Sequence, residues 1–225
     1  MNIKNLGYLF LTLNIITFLG CQKKAEKNTA LASNYYKLSI LELEDDEEFE
    51  QAAKRSINYL DEAIKHDPKG SYLATKATLL FRLCNFEQAK QLFKKSLKSV
   101  LSPKLKCEVL NNYACLLAQI GEIDAAMKIF CALEKDKDYL TPEVALFNQA
   151  KIFTTQKKYR LAKGKLMDAV RLAPDYLDSH FYLAIVSGYY LKDITLAKKE
   201  VQAVLYLEPA HKGALGLEKY LNSSG

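Results

Sequence analysis

Four alanines in this chain, Ala89, Ala126, Ala162 and Ala197, stand 37, 36 and 35 residues apart, and each is followed four residues later by a bulkier apolar residue: Phe93, Phe130, Leu166 and Val201. Another small residue precedes each at nearly fixed distance, Ala77, Ala114 and Ala150 by 12 residues and Ala184 by 13. Self-similarity at this period marks an array of helical hairpins. The four-residue step puts both members of each pair on one helix face, and the small residues admit a second helix at close range. All five prolines, Pro68, Pro103, Pro142, Pro174 and Pro209, fall between the units, where a fixed φ and a missing N–H end one helix or open the next. A single hairpin cannot bury its apolar face, so successive hairpins stack into a quasi-one-dimensional array. The expectation is an all-α superhelical solenoid of about five to six hairpins with a C-terminal capping helix and a curved groove along one face.

Residues 143–174 carry Leu146, Ala150, Phe153, Tyr159, Ala162, Leu166, Ala169 and Pro174. This set resembles the tetratricopeptide repeat, in which small residues at positions 8, 20 and 27 allow close helix packing and a proline at 32 ends the unit. Residues 70–103 and 107–142 follow the same register through Leu73, Ala77, Leu80, Ala89, Phe93 and Ser96, and through Leu110, Ala114, Leu117, Gly121, Ala126 and Phe130. The unit over 177–209 has Leu183, Ala184, Ala197, Val201 and Pro209, with one residue inserted between its helices. A first, more acidic unit ends in Ser56, Leu60, Ala63 and Pro68, and His211 to Leu221 suits a capping helix. Composition agrees: about half the residues are apolar, and the 9 glycines and 5 prolines are scattered.

The N-terminus reads as an export signal. Lys4 gives a short basic leader, Leu6 to Leu19 an apolar stretch, and Gly20-Cys21 is followed abruptly by Gln22-Lys23-Lys24. The apolar stretch is too short and too often interrupted, by Thr12, Asn14 and Thr17, to span a bilayer. Its end resembles the lipobox of bacterial lipoproteins, which implies acylation of Cys21. An ordinary secretory signal or an uncleaved anchor is the alternative. Several acyl chains on one cysteine hold a protein firmly to a membrane, and by the enterobacterial sorting rule Gln22 implies the outer membrane. The expected division is a signal peptide over 1–20, a lipidated tether over 21–30 and the repeat domain over 31–225.

Cys84, Cys107, Cys115 and Cys131 have no metal-site spacing and no Cys-x-x-Cys. They read as buried thiols acting as small apolar side chains, or as containing one oxidised pair between adjacent helices. His66, His180 and His211 lie far apart and read as surface or satisfied residues rather than ligands. Glycine-rich phosphate loops, Gly-x-Ser-x-Gly and His-Glu-x-x-His are absent from the sequence. Neither an enzyme nor a metal or cofactor site is expected, and a small-molecule substrate is not expected either. The formal charge is +6. Acidic residues crowd Glu42 to Glu50 and basic ones Lys157 to Lys165, without the basic stripe and interleaved aromatics of a nucleic-acid surface. The basic cluster suits an acidic partner or phospholipid headgroups.

Residues Glu108 to Phe130 and Asp138 to Phe153 add a narrower resemblance. Asn111, Asn112, Tyr113, Gly121, Ala126, Phe130 and the turn Tyr139 to Pro142 resemble the type IV pilus biogenesis lipoproteins of the PilF/PilW type. Two positions depart from that family: its Gly is Ala114, and its Cys falls on Ala118, with Cys115 displaced. The resemblance implies a pilotin that escorts secretin subunits to the outer membrane and holds a partner segment in its groove. By the tetratricopeptide register, the groove residues are Asn111, Cys115, Phe147, Lys151, Phe181 and Ile185. They mix amide, aromatic and aliphatic groups that suit an extended or helical apolar segment. A periplasmic scaffold for β-barrel or peptidoglycan assembly, or a secretion-system chaperone, would share the same repeats. Phe147 and Phe181 have a second reading, partial cover by the cap or a neighbouring helix.

Overall fold

The computed structural model describes residues 25–43 and 49–223. The apolar leader, Cys21 and the acidic residues 44–48 lie outside the described residues. The chain divides into two units, Met1–Leu101 and Ser102–Gly225. The first contains α1 (25–41), α2 (Phe49–His66), α3 (Gly70–Arg82) and α4 (Phe86–Leu97). The second contains α5 (Pro103–Gln119), α6 (Ile123–Leu133), α7 (Pro142–Thr155), α8 (Tyr159–Leu172), α9 (Leu177–Ile185), α10 (Ile194–Leu207) and α11 (Lys212–Ser223). Five hairpins, α1/α2 to α9/α10, and the capping helix α11 account for the expected all-α repeat architecture. Residues 25–30, placed in the tether by sequence, already belong to helix α1; they are mostly exposed, and Ala32 is the first buried residue.

Each second helix is built on one apolar stripe. Its members are Ser56, Leu60 and Ala63 in α2; Ala89, Phe93 and Ser96 in α4; Ala126, Phe130 and Leu133 in α6; Ala162, Leu166 and Ala169 in α8; and Ala197, Val201 and Val204 in α10, all buried. Steps of four and three residues line up on one side of a 3.6-residue helix, which forces that side inward. Full burial of Phe93 or Phe130 contributes roughly 1.5–3 kcal/mol each. The paired alanines of the first helices, Ala77, Ala114, Ala150 and Ala184, are also fully buried. Ser96 is polar within its stripe, but its Oγ donates to the Gly70 carbonyl oxygen at 2.7 Å and so binds α4 to the start of α3. A Cβ on Gly70 would come within 2.7 Å of the Leu101 side chain, so glycine is what lets the chain pass there.

The turns inside hairpins follow one design. Three residues separate the helices, 83–85, 120–122 and 156–158, and the middle one has left-handed backbone: Cys84 at φ 59°, Gly121 at 86° and Lys157 at 59°. In each turn two amides fold back onto the preceding helix. Asn85, Glu122 and Lys158 donate to Leu80, Leu117 and Phe153, and Cys84, Gly121 and Lys157 donate to Phe81, Ala118 and Thr154. This is the Schellman closure, which satisfies the last carbonyls of the helix. Only Gly121 meets the backbone requirement without steric cost.

The last hairpin departs from the sequence expectation. Its inserted residue does not lengthen the turn, which is again three residues, 191–193, with Lys192 left-handed at φ 58°. The helix itself absorbs the insertion, as a π-helical segment Val186–Tyr190 that continues α9. Leu191 N–H donates to the Val186 carbonyl at 3.1 Å and Asp193 N–H to that of Ser187 at 2.9 Å. The three-residue turn with a left-handed middle residue is kept, and the helix widens by one residue instead, a recognised form of helix irregularity. Gly188 sits within this segment; a Cβ there would lie 3.0 Å from Leu221 and 3.1 Å from Ala197.

Helices α9 and α10 are also joined by a buried ion pair. His180 Nδ1 lies 2.6 Å from Glu200 Oε2, and Nε2 lies 3.0 Å from the Pro174 carbonyl oxygen. Two acceptors facing two ring nitrogens require both to donate, which is the imidazolium form. The Glu200 hydrogen bond accordingly raises the His180 pKa, against burial, which lowers it.

Gly121→Ala should cost about 1 kcal/mol from backbone strain alone, since no atom lies within 4 Å of the added Cβ. Lys157→Gly should be neutral or slightly stabilising; urea melts of the two variants test this. For His180 the folded pKa exceeds the unfolded value, near 6.5, so its stabilisation is complete below that pH and is lost as pH rises through the folded value. The melting temperature should therefore fall across that window, and His180→Gln should flatten the fall.

Candidate functional site

The first helices α5, α7 and α9 of the unit 102–225 carry the six groove residues read from the sequence. Asn111 of α5 is half-buried. Its Oδ1 accepts from Asn148 Nδ2 of α7 at 3.3 Å, and its own Nδ2 lies 3.5 Å from Asn112 Oδ1. Two successive hairpins are thus joined through side-chain amides that are not fully sequestered. Phe147, the residue before Asn148, is half-buried and has two aromatic walls. Tyr176 and Tyr182 meet it in T-shaped geometry at centroid distances of 5.6 and 5.7 Å. This edge-to-face geometry matches the ring quadrupoles and adds roughly 0.5–1.5 kcal/mol per pair beyond area burial.

Lys151, one turn after Phe147, is exposed, and its Nζ stands 5.6 Å from the Phe147 ring centroid. The ammonium group also acts on Cys115: burial raises the thiol pKa, and the Lys151 charge lowers it. Asn111, Cys115, Phe147 and Lys151 therefore fall within one neighbourhood, with Asn148, Tyr176 and Tyr182 added by the structure. Burial, with the nearby Asp178 and Glu143 carboxylates, pushes the Tyr176 hydroxyl up to about 12, so it stays a neutral phenol at any physiological pH. Tyr139 is buried at the same end of α7 and is also raised, chiefly by burial.

Phe181 and Ile185 go elsewhere. Both pack against the core formed by α9, α10 and α11. The His211 ring meets Phe181 edge-on at 4.7 Å, and a Cβ on Gly213 would fall 2.6 Å from Phe181 Cζ. The capping helix therefore takes these two residues into its own contact, whereas Phe147 packs half-buried on the core of α7, α8 and α9 with Tyr176 and Tyr182 against it. Tyr176 and Tyr182 lie outside the positions from which the groove was read, at the entry to α9 and one residue past Phe181, and no spacing in the sequence points them at Phe147.

The cysteines also differ from expectation. All four are free. Cys107 is buried and Cys115 half-buried, but Cys84 and Cys131 are exposed, so the reading of buried apolar thiols fails for two of them. Cys84 occupies a left-handed turn position, and Cys131 sits on α6 with its Sγ 3.7 Å from Gln149 Oε1. Among the described residues no group of three or more His, Cys, Asp or Glu side chains is placed to hold a metal ion. No described helix is long and apolar enough to cross a membrane.

Stacked hairpins closed by Schellman turns over an alanine-lined contact define the tetratricopeptide-repeat fold. No family model matches the sequence, and no curated protein does. Among solved structures, the chain is similar to PilF of Pseudomonas aeruginosa, with TM-score 0.72 and 18% identity over 88% of this chain and 86% of that one. It is similar also to PilW, a widely conserved type IV pilus biogenesis factor, with TM-score 0.66 and 18% identity over 89% and 91% of the two chains. YrrB, a tetratricopeptide-repeat protein with an unusual peptide-binding site, aligns with TM-score 0.56 and 16% identity over 88% and 97%. At these identities the likeness is one of fold.

Proposed function

We propose that this chain is a lipoprotein, anchored through Cys21 to the periplasmic face of the outer membrane, that holds a segment of a secretin or another pilus assembly component. In this reading it acts as a pilotin or assembly factor for a type IV pilus secretin. The observation that carries the binding role is the cluster of side chains around Phe147. An aromatic ring with two tyrosine walls adjoins a pair of amides that join adjacent hairpins, and an exposed ammonium group stands over the ring. Such a site accepts an apolar side chain while the amides hold the backbone on either side of it. Support for the particular partner comes from the fold shared with PilF and PilW and from the Asn111-Asn112-Tyr113 and Tyr139 to Pro142 motifs. Support for the anchor comes from the apolar leader that ends at Gly20-Cys21.

The double variant Asn111→Ala, Phe147→Ala should remain folded yet fail to support secretin multimers. Interface anchors of this type contribute about 2 kcal/mol or more each, so binding should weaken by on the order of a thousandfold. Immunoblots for heat-resistant secretin multimers in the host envelope read the result, and normal multimers would refute the groove assignment. Cys21→Ser should give a folded protein that no longer floats with outer membranes. Retention there after a high-salt wash would place the anchor elsewhere.

A further inference from the structure

The last two hairpin turns, 156–158 and 191–193, border a surface of a different kind. Lys157, Lys158, Tyr159, Arg160, Leu161 and Leu191 line an open depression of about 430 Å³. Its apolar part is exposed: Leu161 keeps 54% of its accessible surface, and Tyr190, whose ring stacks on Tyr159 at 4.2 Å, keeps 47%. Its cations are uncompensated. Lys157, Lys158, Arg160 and the nearby Lys192 are exposed and, among the described residues, make no ion pair. Residues 151–167 contain no acidic side chain, and two carboxylates of the same unit are already paired with other lysines: Asp193 with Lys163 at 2.7 Å and Glu134 with Lys165 at 2.8 Å.

We infer that this corner of the unit docks on the surface of a bilayer containing anionic phospholipid. Charge complementarity requires an anionic occupant, and three features favour headgroups over an acidic polypeptide. Four of the turn amides, Lys157, Lys158, Leu191 and Asp193 N–H, already donate to carbonyls of the preceding helix and are not available to pair with an extended chain. The cations sit on long exposed stems with no fixed fork geometry, which suits laterally mobile phosphates. Leu161 and the stacked tyrosines supply the amphipathic contact characteristic of a membrane interface. The inference concerns the folded unit and does not depend on acylation of Cys21.

The test compares full-chain protein on vesicles of phosphatidylcholine with about one-third phosphatidylglycerol and on vesicles of phosphatidylcholine alone, by co-sedimentation at low salt. The difference between the two isolates the charge-dependent term of the whole chain, and the triple variants assign the share that the turn surface contributes. Wild-type protein should prefer the anionic vesicles. Lys157→Ala, Lys158→Ala, Arg160→Ala should reduce that preference on the order of a hundredfold, with an unchanged thermal melt. Lys94→Ala, Lys95→Ala, Lys98→Ala, three exposed cations of the α4 end, should leave it intact. Equal binding to both vesicles, or equal loss in the two triple variants, would overturn the inference. So would capture of polyglutamate by the wild type without a preference for anionic vesicles, which would assign the surface to an acidic protein instead. Secretin assembly should be unaffected by the turn substitutions, so failure here and failure of the groove assignment are separate results.

Discussion

Close approach of the two helices within each hairpin governs everything else in this protein. Ala77 with Ala89, Ala114 with Ala126, Ala150 with Ala162 and Ala184 with Ala197 are all fully buried. A methyl group is the largest side chain that lets both backbones keep this spacing, and extra methylenes in such a contact are costly. Once the helices are this near, a three-residue turn suffices to join them, and its middle residue is driven into left-handed backbone. Three non-glycine residues accept that strain. Within residues 102–225 the stripe residues Ala162 and Leu166 then share a core with Leu183 and Val186 of the following hairpin.

Much of this was legible in the sequence because it rests on local spacing. Ala162, Leu166 and Ala169 announce a buried face through their intervals alone, and Pro103 and Pro142 mark the first residues of α5 and α7. The candidate site was legible only in part. Asn111, Cys115, Phe147 and Lys151 follow from the repeat register, but Tyr176 and Tyr182 reach Phe147 through the fold between successive hairpins, which no spacing within one hairpin encodes. Phe181 and Ile185 occupy the same register positions as their counterparts, yet the cap rather than another hairpin follows the last hairpin, so the end of the array changes their surroundings. The exposure of Cys84 and Cys131 was missed because a cysteine's burial depends on which face of its helix or turn it occupies.

The two surfaces of the second unit have opposite characters. The cluster at Phe147 is aromatic and carries its polar groups as amides, with Lys151 the cation over the ring. The turn surface gathers free cations around a smaller apolar patch. Burial keeps the Tyr176 phenol neutral, while the cations at Lys157, Lys158 and Arg160 stay hydrated and screened by salt. A partner segment held by the first surface would bind mainly through desolvated contact, whereas attraction at the second falls within a Debye length.

The π-helical segment has a mechanical consequence. An extra residue turns every following side chain by about 100° relative to an uninterrupted helix, and two tyrosines form the end of the segment. Tyr190 stacks on Tyr159 of the preceding hairpin at 4.2 Å, and Tyr189 stacks on Tyr220 of the cap at 4.6 Å. One helix end thereby grips the elements on both sides of it. A register slip of a single residue has become a two-sided clasp, and it closes the array at the hairpin where the repeating contacts run out.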